Sequence, residues 1–101
     1  EMITAVESFS VYSPAYFRLE QNYPNPFNPS TKISWQSPVS SHQTIKVFDA
    51  LGNELATLVN EEKPAGNYEV NWNASNLSSG VYYYKLQAGP FIETKKMILL
   101  R

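Results

Sequence analysis

The chain has 101 residues, enough for one domain, and its 43% apolar and 14% aromatic content is that of a globular protein. Eight basic residues against nine acidic ones give a formal charge of -1, which leaves no electrostatic reason to expect nucleic acid or an anionic membrane as partner. Cysteine is absent, which excludes disulfides and thiolate chemistry, and no run approaches the ~20 apolar residues of a membrane span.

Residues 1–16, "EMITAVESFSVYSPAY", show no sustained periodicity and read as a junction from a preceding domain, with at most one short strand at Phe9 to Tyr12. They carry neither the basic start nor the apolar run of a secretory signal, so if the chain is exported its signal is expected further upstream. The domain proper is expected over 17–101. Its first feature is "NYPNPFNPST", 22–31. Proline fixes φ, lacks an amide donor and pushes the preceding residue toward extended geometry. Asn22, Asn25 and Asn28 favour turn conformations beside Pro24, Pro26 and Pro29. The segment reads as a stiff strap along a sheet edge, with Tyr23 and Phe27 as the rings it buries.

Period-two alternation follows. "TKISWQ" (31–36) sets Ile33 and Trp35 on one face, and "QTIKVFD" (43–49) sets Ile45 and Val47 inward. "NELATLVN" (53–60) is looser, a twisted strand or a short helical turn, with Leu55 as its expected core residue. "NYEVNWNA" (67–74) alternates cleanly with Tyr68, Val70 and Trp72 inward, and "GVYYYKLQA" (80–88) with Tyr82, Tyr84 and Leu86. "FIETKKMILLR" (91–101) closes the chain. "DALGNE" reads as a tight hairpin, with Gly52 and Asn53 as candidates for positive φ. "KPAGN" and "NLSSG" are loop chemistry, and Pro90 ends a strand. Six or seven short strands between such turns predict an all-β antiparallel sandwich.

The chemical inventory is thin. His42, in an expected polar loop, and Asp49 flank one strand, which separates them by about 20 Å and defeats a Ser-His-Asp device. Glu61 and Glu62 read as a solvated loop rather than a calcium site, and no Gly-rich phosphate loop occurs. No catalytic residue, metal or cofactor is expected. "NAS" (73–75) and "NLS" (76–78) match the short glycan-acceptor pattern, for which turn chemistry is a sufficient reading. The run Tyr82-Tyr83-Tyr84 invites a carbohydrate-binding reading; alternation assigns Tyr82 and Tyr84 to the core and Tyr83 to the outer face.

The terminal stretch turns apolar on both faces. Met97 and Leu99 are expected in the core, with Ile98 and Leu100 as an exposed strip flanked by Lys95, Lys96 and Arg101.

"LEQNYPNPFNPSTKISW" (19–35), "IKVFDALGNELATLVN" (45–60), "AGNYEVNWNASNLSSGVYYYKL" (65–86) and "KKMILLR" (95–101) together resemble the type A C-terminal sorting domain of the type IX secretion system. Trp35 where Phe is frequent and Arg101 where Lys is frequent are mild departures. The resemblance implies a seven-stranded immunoglobulin-like sandwich at the end of an exported protein of Bacteroidetes or their relatives. It implies a cargo that crosses the periplasm and reaches the outer-membrane surface or the medium. The implied partners are the outer-membrane translocon and a sortase-type peptidase that cuts upstream of Leu19. A similar module occurs in the flagellar hook-capping protein, but "KKMILLR" favours the sorting family. The expected recognition residues are Lys95, Lys96, Met97, Ile98, Leu99, Leu100 and Arg101, with 22–29 as structural strap. The rival reading is a carbohydrate-binding or adhesive sandwich on a surface enzyme, which needs exposed coplanar rings. No small-molecule substrate is expected.

Overall fold

The computed structural model describes residues 14–101. The expected strand at Phe9 to Tyr12 and most of the expected junction lie outside them. Seven strands follow in order: β1 (Arg18–Leu19), β2 (Ser30–Ser37), β3 (Ser41–Phe48), β4 (Glu54–Lys63), β5 (Gly66–Asn73), β6 (Gly80–Ala88) and β7 (Phe91–Leu99). They form two antiparallel sheets, ordered β1-β2-β5 and β4-β3-β6-β7. The constant-type immunoglobulin arrangement places its fourth strand in the first sheet; here that strand pairs with β3 in the second. The fold is an immunoglobulin-like sandwich.

Alternation builds the core. Ile33, Trp35, Ile45, Val47, Trp72, Tyr82, Tyr84 and Leu86 are all buried between the sheets, joined by Leu19, Phe27, Met97 and Leu99. Tyr68 and Val70 pack partly buried against this core from β5, which pairs with β2 alone. The Trp35 indole donates to the buried Gln43 Oε1 across the sandwich at 2.9 Å, so its polar atom is satisfied inside. Tyr82, near the start of β6, donates its hydroxyl to the Ser78 carbonyl at 2.7 Å. This is the tyrosine corner of immunoglobulin-like sandwiches.

Several expectations need correction. Leu55 is 39% exposed. The β3–β4 register shifts between Ile45 and Lys46 and again between Val47 and Phe48, skipping Leu58 and Leu55 on β4. Each bulge interrupts the alternation, so Ala56 and Val59 sit opposite Val47 and Ile45 and turn toward the core while Leu55 turns out. β4 also runs further than expected, so Glu61 and Glu62 are strand residues. His42 likewise lies on β3, exposed, with its ring 2.6 Å from Asn60 Oδ1 on the neighbouring strand. In the β3–β4 turn only Gly52 has positive φ, at 92°; Asn53 does not. Asp49 holds that turn by accepting the Leu51 and Asn53 amides, each at 2.9 Å.

Candidate recognition site

The strap leaves β1 and crosses from one sheet to the other. Tyr23 bridges Lys32 antiparallel on β2, and Phe27 bridges Leu99 in parallel on β7. The strap thus seals one side of the sandwich, where both sheets would otherwise present an edge. The Tyr23–Pro24, Asn25–Pro26 and Asn28–Pro29 peptide bonds are cis.

A buried amide fastens the crossing. Asn22, 2% exposed, donates Nδ2 to Thr31 Oγ1 at 2.9 Å and to the Pro24 carbonyl at 3.2 Å. Its Oδ1 accepts from Gln21 Nε2 at 2.8 Å, and Thr31 in turn donates to the Pro24 carbonyl at 2.8 Å. One interior side chain so organises two turns of a chain poor in its own donors. Phe27, 2% exposed, packs against Trp72 with ring centroids 5.8 Å apart.

Tyr23 is 76% exposed, against the expectation that it is buried. Its bridge partner Lys32 points to solvent, and residues paired directly opposite share a face. Phe27 is set opposite Leu99, an inward residue. Pro24, Asn25, Pro26 and Asn28 are exposed, and Pro29 is half-buried, its carbonyl accepting the Ala74 amide at 2.8 Å.

The strap and the end of β7 meet along one edge. The Phe27 amide donates to the Ile98 carbonyl at 2.9 Å, and the Leu100 amide donates to the Phe27 carbonyl at 3.0 Å. The Ile98 amide donates to Asn25 Oδ1 at 2.9 Å, and Gln21 Nε2 donates to the Lys96 carbonyl at 2.8 Å. Asparagine supplies an acceptor here at a point where the proline-rich backbone supplies no paired strand.

Within β7, Met97 and Leu99 are completely buried, as expected. Ile98 is half-buried on the outer face opposite Val81, and Leu100 is 59% exposed. Lys95 pairs with Glu93 at 3.5 Å, and Lys96 is exposed. Arg101 folds back, its Nη1 donating to the carbonyls of Ser75 and Leu77 at 2.7 and 2.8 Å. Its own amide donates to Ser79 Oγ at 2.8 Å. Sequence reasoning missed Asn22, Thr31 and Gln21 as the fastening. The signal available was the polar pair Asn22 and Thr31 bracketing the proline run.

Elsewhere, a shallow groove of about 270 Å³ lies beside Glu20, Ser34, Gln36 and Glu69. Both carboxylates are already paired, Glu20 with Arg18 and Glu69 with Lys32. Among the described residues no group of three or more His, Cys, Asp or Glu side chains converges as a metal site.

The sequence that builds the proline strap, the sandwich and the terminal strand matches a known protein family. The model of the secretion system C-terminal sorting domain covers residues 21–100. The chain belongs to this family of type IX secretion sorting domains. Neither a curated protein nor a solved structure matches it. A domain of this family is a sorting signal rather than a catalyst, and marks a cargo protein for export to the cell surface or the extracellular space.

Proposed function

We propose that the composite of strap 22–29 and terminal residues 95–101 is the surface by which the outer-membrane translocon recognises this sorting domain. The observation that carries the reading is the hydrogen-bonded seam between Asn25, Phe27, Ile98 and Leu100, which makes one unit of the strap and the terminal segment. Recognition surfaces for extended chains draw on strand edges and alternate side chains. Burial of Trp35, Trp72, Tyr82 and Tyr84 supports the sorting reading over sugar binding, because rings inside a core cannot stack on a ligand.

Residues 1–16 serve in this proposal as the junction to the cargo, which passes through the periplasm before export. A sortase-type peptidase cuts upstream of Leu19. Phe17 supports that limit: it stacks on Phe91 at 4.9 Å, tying the chain to the sandwich from that point on. Mass spectrometry of the released domain checks the cut, and a new terminus within 31–101 contradicts it.

The central experiment fuses the 101-residue chain to a reporter in a host with an intact type IX system. The reporter is expected outside the cell. Its retention in the periplasm would overturn the reading.

A further inference from the structure

Among the described residues, the outer edge of β7 is filled over only half its length. In an antiparallel ladder the backbone groups of alternate residues face alternate sides. The contacts of Lys96, Ile98 and Leu100 with Gln21, Asn25 and Phe27 show that the even-numbered residues of β7 face away from β6. From Ile98 onward the strap satisfies them. Before Lys96, among the described residues, the amides and carbonyls of Ile92 and Thr94 have no partner.

This stretch, Ile92 to Lys96, is long enough for a short strand, at about 3.3 Å per residue. The other edges are poorer templates. β4 is broken by two register shifts and carries Glu54, Glu61, Glu62 and Lys63. β1 has two residues. β5 leaves one edge open over its whole length, but its exposed side chains, Asn67, Glu69, Asn71 and Asn73, are poor strand formers and offer an added strand no apolar contact. Bulges and charged side chains are how native edges avoid pairing. The open half of β7 has no bulge; its Glu93 and Lys95 pair with each other, and Ile92 is 58% exposed beside exposed Thr94 and Lys96.

Charge points to the partner. Among the described residues, Arg18, Lys32, Lys46, Lys63 and Lys95 each face a carboxylate within 4 Å. Lys96, Lys85 and Arg101 do not; Arg101 is taken up by the Ser75 and Leu77 carbonyls and the Lys85 ammonium lies 5.4 Å over the Phe48 ring, which leaves Lys96 beside Thr94.

We infer that this open half-edge takes an added strand from the translocon, an extended segment with an apolar residue beside Ile92 and an acidic residue beside Lys96. The inference rests on the sorting reading and supplies the chemistry of its contact. The strap is the stop that fixes register, because Gln21 and Asn25 occupy the edge from the Lys96 carbonyl onward. Backbone pairing supplies affinity, and the two side-chain contacts supply selectivity.

The test uses the reporter fused to the whole chain. Thr94→Pro removes an outward amide without removing a bond to β6, while Thr94→Val keeps the amide and changes only the side chain. Lys96→Glu reverses the free charge. Extracellular reporter is expected to fall at least tenfold with Thr94→Pro and with Lys96→Glu, and to stay at the parent level with Thr94→Val. Circular dichroism of each purified chain checks folding; if Thr94→Pro unfolds, Ile92→Pro at the same edge replaces it. Normal export of a folded proline variant overturns strand addition, as does equal loss with Thr94→Val. Normal export of Lys96→Glu overturns the acidic partner. Retention of the unsubstituted fusion overturns the sorting reading itself, independently of every variant.

Discussion

Phe27 and Tyr23 are four positions apart in one strap, yet they meet opposite environments. Their bridge partners decide it, since Leu99 faces the core and Lys32 faces water. Phe27→Ala is therefore expected to cost about 3 kcal/mol, within the usual range for a buried Phe. Tyr23→Ala is expected to stay within about 0.5 kcal/mol. Urea denaturation of the two variants checks this, and equal losses would mean that the strap is held differently. Tyr84 provides a second test at this scale. Its ring is fully buried and its hydroxyl donates to the Glu20 carbonyl at 2.6 Å. Burial pushes its phenol up to about 12 from the ordinary 10.0. The folded state thus keeps a proton that the unfolded chain releases first. The resulting stabilisation is complete below pH 10 and lost as pH rises toward 12. Alkaline unfolding of the parent should show this slope, and Tyr84→Phe should flatten it.

At the scale of elements, strands were legible wherever one face is buried and the ladder is regular. Ile33 and Trp35 on β2 and Tyr82, Tyr84 and Leu86 on β6 follow simple alternation into the core. β4 was illegible because its two bulges change the period locally, and no single residue in "NELATLVN" announces them. The terminal strand was half legible: alternation put Met97 and Leu99 in the core, where they are, and Ile98 and Leu100 on an exposed strip, but it did not show that the strap bonds to that edge and leaves Ile98 half-buried. Partners distant in sequence, such as Asn25 and Ile98, are joined only by the fold. The same holds for Asn22, which looks like one more turn asparagine and is in fact the buried fastening of the crossing. Asn22→Ala takes a donor from the buried Thr31 hydroxyl and one of two donors from the Pro24 carbonyl, a loss of about 1–3 kcal/mol. Hydrogen exchange should localise the effect. The amides of Phe27, Ile98 and Leu100, which stitch strap to β7, are expected to exchange faster, while those within the β3–β6 ladder change only with global stability. Uniform acceleration across all strands would show that strap and sandwich open as one unit.

For the whole molecule, the overlap of the proposed recognition segment with the core in β7 constrains how the terminal segment can be probed. Removal of residues 97–101 is the obvious way to ask whether that segment directs export. It takes Met97 and Leu99 from the fully buried core, and with them the backbone partners of Phe27. It also removes Arg101, which ties the β5–β6 connection through the Ser75 and Leu77 carbonyls. Truncating a buried Leu or Met to Ala alone costs about 2–5 kcal/mol. Two such losses together rival the 5–15 kcal/mol by which a typical domain is stable. The truncated chain is accordingly expected to be unfolded at 25 °C, with the β signal lost in circular dichroism and no cooperative urea transition. Its failure to be exported would then report on folding and not on recognition. Substitution at the exposed Leu100, which lies outside the core, separates the two: Leu100→Ser should keep the parent's stability within about 0.5 kcal/mol. A cooperative, native-like transition in the 97–101 deletion would show that the sandwich closes without its last strand, and that β7 is a docked appendage rather than a wall of the core.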